Sequence, residues 1–161
     1  MEGLLGSAAS PLLFLDIDGV LRRGAAGPLV RMPLLAVWLE GQPNLGIVIS
    51  SEWRLTHSLG HLRRMFSPAI AQRVVGITPR LDGVETGGEY LHTRQREIEA
   101  WRLSNGHHGR FAALDDDARL FEPDWAHLVH VRGGGVGPTD FEQLSALLAA
   151  PARRALAIAA A

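Results

Sequence analysis

Short apolar runs recur along the chain, and most of them end in a polar cluster. Leu12 to Leu15 runs into Asp16, the pattern of a strand buried on both faces of a parallel sheet. Ile47 to Ile49, ending in Ser50 and Ser51, predicts a second strand, and Val74 to Ile77 a third. Phe111 to Leu114, ending at Asp115, predicts a fourth, and His127 to Val131 a fifth. Between these runs the apolar positions shift to helical spacing. Met32 to Glu40 predicts a helix opened around Pro33 and stopped by Gly41 and Pro43. Glu52 to Phe66 carries Trp53, Leu59, Leu62, Met65 and Phe66 roughly on one face, which predicts one helix after the second strand. Thr93 to Leu103 predicts another, ended by Asn105 and Gly106, and Pro138, Thr139 and Asp140 open a last one that runs to about Ala149.

The connecting stretches differ in character. Asp18, Gly19, Arg22, Arg23, Gly24, Gly27 and Pro28 make a turn-rich segment that reads as a loop or small flap, and Thr78 to His92 reads as a long loop. Neither an internal repeat nor an interdomain linker is visible. Alternating strands and helices imply an α/β fold, a three-layer Rossmann-like parallel sheet with helices on both faces and ligands bound beyond the carboxyl ends of the strands. The expected organisation is one domain over 1–161, with its core at about 11–148 and an Ala-rich tail at 150–161.

Composition narrows the chemistry. The 161 residues carry a formal net charge of −1, from 16 basic and 17 acidic residues, so no global field draws the chain to nucleic acid or membrane. Lysine is absent and arginine carries the whole positive charge; a GC-rich coding bias accounts for this more simply than design, although the planar fork of Arg suits phosphate. Without cysteine, thiol catalysis, disulfides and Cys-based zinc sites are excluded, and a reducing cytoplasm is the expected location. Met1 to Leu13 lacks a basic leader and cleavage pattern, and no apolar run approaches the roughly 20 residues that a membrane span requires.

Three clusters carry candidate chemistry. Asp16-Ile17-Asp18-Gly19 places two carboxylates one residue apart where a buried strand becomes a loop. An Asp-x-Asp-Gly also serves calcium loops and ordinary turns, but an EF-hand loop follows a helix rather than a strand. Ser50-Ser51-Glu52-Trp53-Arg54 offers hydroxyls and free amides beside a helix N-terminus, an arrangement that can bind phosphate but that, taken by itself, reads first as a plain Ser cap. Asp115-Asp116-Asp117 gathers carboxylates that repel one another unless a cation or water compensates them. In a parallel sheet all three clusters share one edge. The histidines and tryptophans weigh less. His107 and His108 read as a solvated turn, His57 and His61 lack a third ligand for zinc, and Trp53, Trp101 and Trp125 read as packing residues.

The order Asp16-Ile17-Asp18-Gly19-Val20, Ser50, Arg94, Asp115-Asp116 resembles the four motifs of the haloacid dehalogenase superfamily. Ile-Ser-Ser-x-Trp-Arg at 49–54, Arg-x-Arg-Glu-Ile-x-x-Trp at 94–101 and Leu-Asp-Asp-Asp-Ala at 114–118 are similar to the small domain of bacterial Swiss Army Knife RNA repair proteins. The resemblance spans roughly 11–148. It implies a phosphohydrolase in which Asp16 attacks phosphorus to form an aspartyl phosphate. Asp18 would act as acid and then base, Ser50 would donate to the phosphoryl oxygens, and Arg94 would stand where lysine is usual. Arg96 is the rival for that place. Magnesium would be held by Asp16, the Asp18 carbonyl and a carboxylate at Asp115 or Asp116, with Gly19, Ser51 and Arg54 toward the substrate. With no cap beyond a short flap, the site suits an exposed phosphate such as a nucleotide or a nucleic acid end. The competing expectations are a binding or regulatory module of the same fold without useful turnover, and a phosphoprotein phosphatase.

Overall fold

A computed structural model describes residues 7–81 and 92–149. Most of the 78–92 loop and the Ala-rich tail therefore lie outside the described residues. The strands are β1 (Leu12–Leu15), β2 (Gly46–Ile49), β3 (Val74–Ile77), β4 (Phe111–Asp115) and β5 (Leu128–His130). They form one parallel sheet in the order β3-β2-β1-β4-β5. The central strand β1 is apolar on both faces, as burial on both sides requires.

Alternation along the strands divides the core into two layers. Leu13, Leu15, Ile47, Ile49 and Leu114 pack against α1 (Met32–Glu40), α2 (Leu59–Arg63), α3 (Pro68–Ala71) and α5 (Pro138–Leu148) through Leu35, Leu39, Leu62, Ile70 and Leu144. Phe14, Val48 and Ala113 face the opposite layer, where α4 (Thr93–Ser104) supplies Ile98 and the edge of Trp101 meets Phe14. Each of the fully covered leucine, isoleucine, valine and phenylalanine side chains contributes about 1.5–3 kcal/mol of burial free energy.

The register sets the functional edge. Leu15 lies level with Ile49 on one side and Leu114 on the other, so the next residues, Asp16, Ser50 and Asp115, leave the sheet at the same height. The Asp16 amide donates to the Leu114 carbonyl and the Ser50 amide to the Leu15 carbonyl, each at 3.0 Å, which holds the three strand ends together. Two residues beyond Phe14 and Ala113, Asp16 and Asp115 fall on the α4 side of the sheet.

Two local expectations are corrected. The single helix over Glu52–Phe66 is instead a 3-10 turn at Glu52–Leu55 followed by α2, with α3 beyond. Ser58 breaks it: its backbone is extended and its hydroxyl accepts from the His61 amide, a cap that competes with helix continuation. His107 is no part of a solvated turn. It is buried, its Nδ1 accepts from Arg102 Nε at 3.1 Å, and its Nε2 therefore donates to the Ser10 carbonyl at 2.8 Å. Between β1 and α1 the chain forms no helix or strand, only a flap of turns closed by the Gly19 amide on the Gly24 carbonyl.

Candidate active site

The carboxyl edge of the sheet opens into a cavity of about 300 Å³, lined by Asp16, Asp18, Gly19, Ser51, Arg94, Asp115, Asp116 and Asp117, with Gly24 and Ala25 of the flap at its rim. Each arrives from a different element. Asp16 ends β1, Asp115 ends β4, and Arg94 reaches in from the first turn of α4. Gly19 has φ +78°, and a Cβ there would collide with the Asp116 carboxylate, so the chain needs glycine on both counts.

Arg94 organises the buried charge. Its Nη1 lies 2.7 Å from Asp115 Oδ2 and 3.3 Å from Asp16 Oδ1, with all three side chains buried. Arg96, two positions along α4, is exposed, because positions two apart on a helix face different sides. One guanidinium does not compensate this many carboxylates. Burial, then the charge of Asp115, pushes the Asp16 carboxyl up to about 8 against the pull of Arg94. Asp115 is also raised, chiefly by burial. Burial works against the Arg94 cation, but Asp115 and Asp16 outweigh it and hold the guanidinium more firmly charged than usual.

Such crowding is what a bound cation relieves. Oxygens of Asp16, Asp115 and Asp116 lie within 4.8 Å of one another, a hard oxygen set of the kind magnesium takes. Asp117 does not join them. Its carboxylate is committed to Arg119 at 2.8 Å, and its amide donates to Asp115 Oδ1 at 2.9 Å, fixing that ligand instead.

Two residues assigned from the sequence sit differently. Ser50 is buried level with Asp16 and does not line the cavity, whereas Ser51 does; the Ser51 hydroxyl oxygen accepts from the Trp53 amide, which leaves its hydrogen to be donated. Arg54 is not at the cavity either. Its guanidinium pairs with Glu97 at 2.7 Å and donates to the Thr78 and Ser51 carbonyls at 3.0 Å, tying the ends of β2 and β3 to α4. The pair escaped sequence reasoning because Glu97 looks like any helix-surface carboxylate until α4 is placed. Burial pulls both partners toward neutrality, so removing one is costly. Arg54→Ala is expected to lose about 3–5 kcal/mol in a thermal melt, and Arg54→Met combined with Glu97→Leu to lose much less. A stable Arg54→Ala protein with a raised KM would return Arg54 to the phosphate.

The remaining assigned group, Asp18, lies at the mouth of the cavity, where its Oδ1 accepts from Arg22 Nε at 2.7 Å. His57 stacks on Trp53 with ring centroids 5.0 Å apart, and His61 packs on His57 at 4.8 Å with its ring tilted by 38°, so both serve an aromatic cluster.

Residues 12–135 match the model of a family described as the HAD domain in Swiss Army Knife RNA repair proteins. No curated protein and no solved structure matches at a significant level. Five parallel strands, motif residues on their shared carboxyl edge and a basic side chain between two of the acidic ones agree with that match. The chain thus belongs to the family of HAD domains of Swiss Army Knife RNA repair proteins, and through it to the HAD-type phosphohydrolases.

Proposed function

We propose that this protein is a magnesium-dependent phosphohydrolase that works through an aspartyl phosphate at Asp16 and acts on an accessible phosphate, such as that of a nucleotide or a nucleic acid end. The observation that carries the reading is the Arg94 guanidinium held between Asp16 and Asp115, beside a third carboxylate at Asp116. A phosphate ester is an anion that repels a carboxylate nucleophile, so positive charge must be in place before attack. Arg94 supplies part of it. Asp16, Asp115, Asp116 and the Asp18 carbonyl would hold magnesium, which would supply the rest of that positive charge.

In the first half of the reaction an Asp16 oxygen bonds to phosphorus as the bond to the leaving oxygen breaks, and Asp18 gives that oxygen a proton. In the second, Asp18 takes a proton from a water whose oxygen attacks phosphorus, releasing phosphate and restoring Asp16. Ser51 donates to the phosphoryl oxygens. The substrate class rests on access. Among the described residues the flap that borders the cavity is a run of turns with no helix or strand, reaching it through Gly24 and Ala25, which suits an exposed phosphate. Among the described residues no helix is long and apolar enough to cross a membrane, so nothing described ties the site to a bilayer.

Phosphate release from an aryl phosphate, with and without magnesium, tests the function. Magnesium-dependent release supports it; absence of release under both conditions would favour a binding module of the same fold. Metal binding is checked separately. Magnesium should bind at Asp16, Asp115 and Asp116 with oxygens at about 2.1 Å. A chelator should strip it without unfolding the protein, since Arg94 and the sheet hold the site in its absence. Titration calorimetry on Asp116→Asn should show weakened binding; unchanged affinity would place the ion elsewhere.

A further inference from the structure

The flap between β1 and α1 holds one side chain whose contacts the reaction scheme does not use. Arg22 follows Asp18 by four residues in a segment that is not helical, yet the two are joined by an isolated bridge and an ion pair. Its Nε donates to Asp18 Oδ1 at 2.7 Å, its Nη1 donates to the Gly27 carbonyl at 2.8 Å, and its guanidinium lies 5.2 Å above the centre of the Trp53 ring. The side chain is mostly covered, at 15% exposure. A guanidinium held at three points is far more ordered than a surface arginine, since its planar fork loses little freedom per bond once stacked.

We propose that Arg22 is a positioning residue for the leaving-group step: it fixes the Asp18 carboxyl at the cavity mouth and ties it to the flap and to the 3-10 turn that Ser51 caps. The assignment rests on the phosphohydrolase reading. Proton transfer requires the Asp18 oxygen within hydrogen-bond reach of the leaving oxygen, and a side chain free to rotate spends little time there. The Asp18 side chain is 34% exposed, so packing does little to hold it, and Arg22 is its one hydrogen-bond partner among the described residues. Trp53, in turn, braces Arg22 from the far side: its ring packs on the core below, while His57 stacks on it at 5.0 Å. When Asp18 transfers its proton to the leaving oxygen, the bond from phosphorus to that oxygen breaks and the new bond from Asp16 forms. The carboxylate left on Asp18 then faces the Arg22 cation, so the pair is strongest at the point where charge has moved.

A residue that serves only proton delivery matters in proportion to how badly the leaving group needs a proton. 4-Nitrophenyl phosphate departs as a stable phenolate, whereas a nucleoside monophosphate must release an alkoxide. The informative variant is Arg22→Met, which keeps an apolar stem over Trp53 and removes every donor. It should lower kcat on the nucleoside monophosphate by at least about tenfold more than on 4-nitrophenyl phosphate, with KM little changed. Asp18→Asn should show the same selectivity, the double variant should be no worse than Asp18→Asn alone, and Arg22→Lys should recover part of the loss. Equal falls on both substrates would make Arg22 a structural residue, and no fall on either would make it idle; both outcomes overturn the assignment while leaving the phosphohydrolase reading intact. A wild-type protein that hydrolyses neither substrate would overturn both readings together.

Discussion

Asp16→Asn is expected to abolish phosphate release and, in the metal-free protein, to raise the melting temperature. The loss follows from removing the atom that attacks phosphorus, and it should reach about 10³-fold or more, the scale of nucleophile deletions. The gain follows from charge. In the folded, metal-free state the Asp16 carboxyl is pushed up to about 8 by burial and by Asp115, from an ordinary 3.8 in an open chain. A raised folded value means that the folded state holds the proton more tightly than the unfolded state. The stability it contributes is therefore present below about pH 4 and is lost as pH rises toward 8. Asparagine is neutral throughout and escapes that loss. At pH 8 the variant should be more stable on the order of 2 kcal/mol, several degrees in melting temperature, with the difference shrinking toward pH 4. Magnesium should stabilise the wild type more than the variant and narrow the gap from the other side. Thermal melts across pH with and without magnesium, run beside a phosphate release assay, check both halves. Retention of more than a few per cent of the activity would remove Asp16 from the nucleophile's role, and a variant less stable at pH 8 would mean that Arg94 already neutralises the site.

Arg94→Ala should lower kcat/KM by about 10² or more, the scale on which one preorganised charge donor counts. Arg96→Ala should be silent, because that side chain is exposed. The bond lengths sharpen the test with lysine. Arg94 Nη1 sits closer to Asp115 than to Asp16, 2.7 Å against 3.3 Å. The guanidinium thus holds the Asp115 carboxylate and leans on the nucleophile. A lysine ammonium is a point donor on a stem of different reach. If cancelling charge is the main task, Arg94→Lys should restore most of the activity lost in Arg94→Ala. If fixing Asp115 by the planar fork matters as much, Arg94→Lys should stay near the alanine value and bind magnesium more weakly. A crippled Arg96→Ala beside an unaffected Arg94→Ala would contradict the geometry outright.

Much of this site is legible in the residues because its first requirement is local. A run such as Leu12 to Leu15 has no partner but a sheet buried on both sides, and the polar residue that ends it marks where the sheet meets solvent. The same reasoning locates Asp115 after Phe111 to Leu114 and the two serines after Ile49. Parallel pairing then puts all of these on one edge, which needs no knowledge of the packing. Capping chemistry is less forgiving. Ser58 falls inside the helix expected over Glu52–Phe66, and only its extended backbone reveals a cap that splits it. The apolar face was real, since Leu62 and Phe66 are buried, but several short pieces present it instead of one long helix.

What the sequence by itself determined is the class of the fold, the ends of its strands and the residue types that gather there, because hydrophobic period and turn chemistry act over a few residues. Only the tertiary structure decided which members of each cluster meet. Whether Ser50 or Ser51 lines the cavity depends on the register and direction of β2. The turn after β4 leaves Asp115 and Asp116 to the carboxylate cluster with Asp16 and commits the Asp117 carboxylate to Arg119. Arg94 rather than Arg96 reaches the carboxylates because Ile98 and Gln95 turn that side of α4 toward the sheet and the segment after β4, a rotation set by packing with Phe14, Val48 and Phe121. Arg54 with Glu97, and Arg22 with Asp18 and Trp53, join segments whose separation along the chain says nothing of their distance in space. Charges of opposite sign pair wherever the packed core brings them within reach, and that distance is fixed by the core.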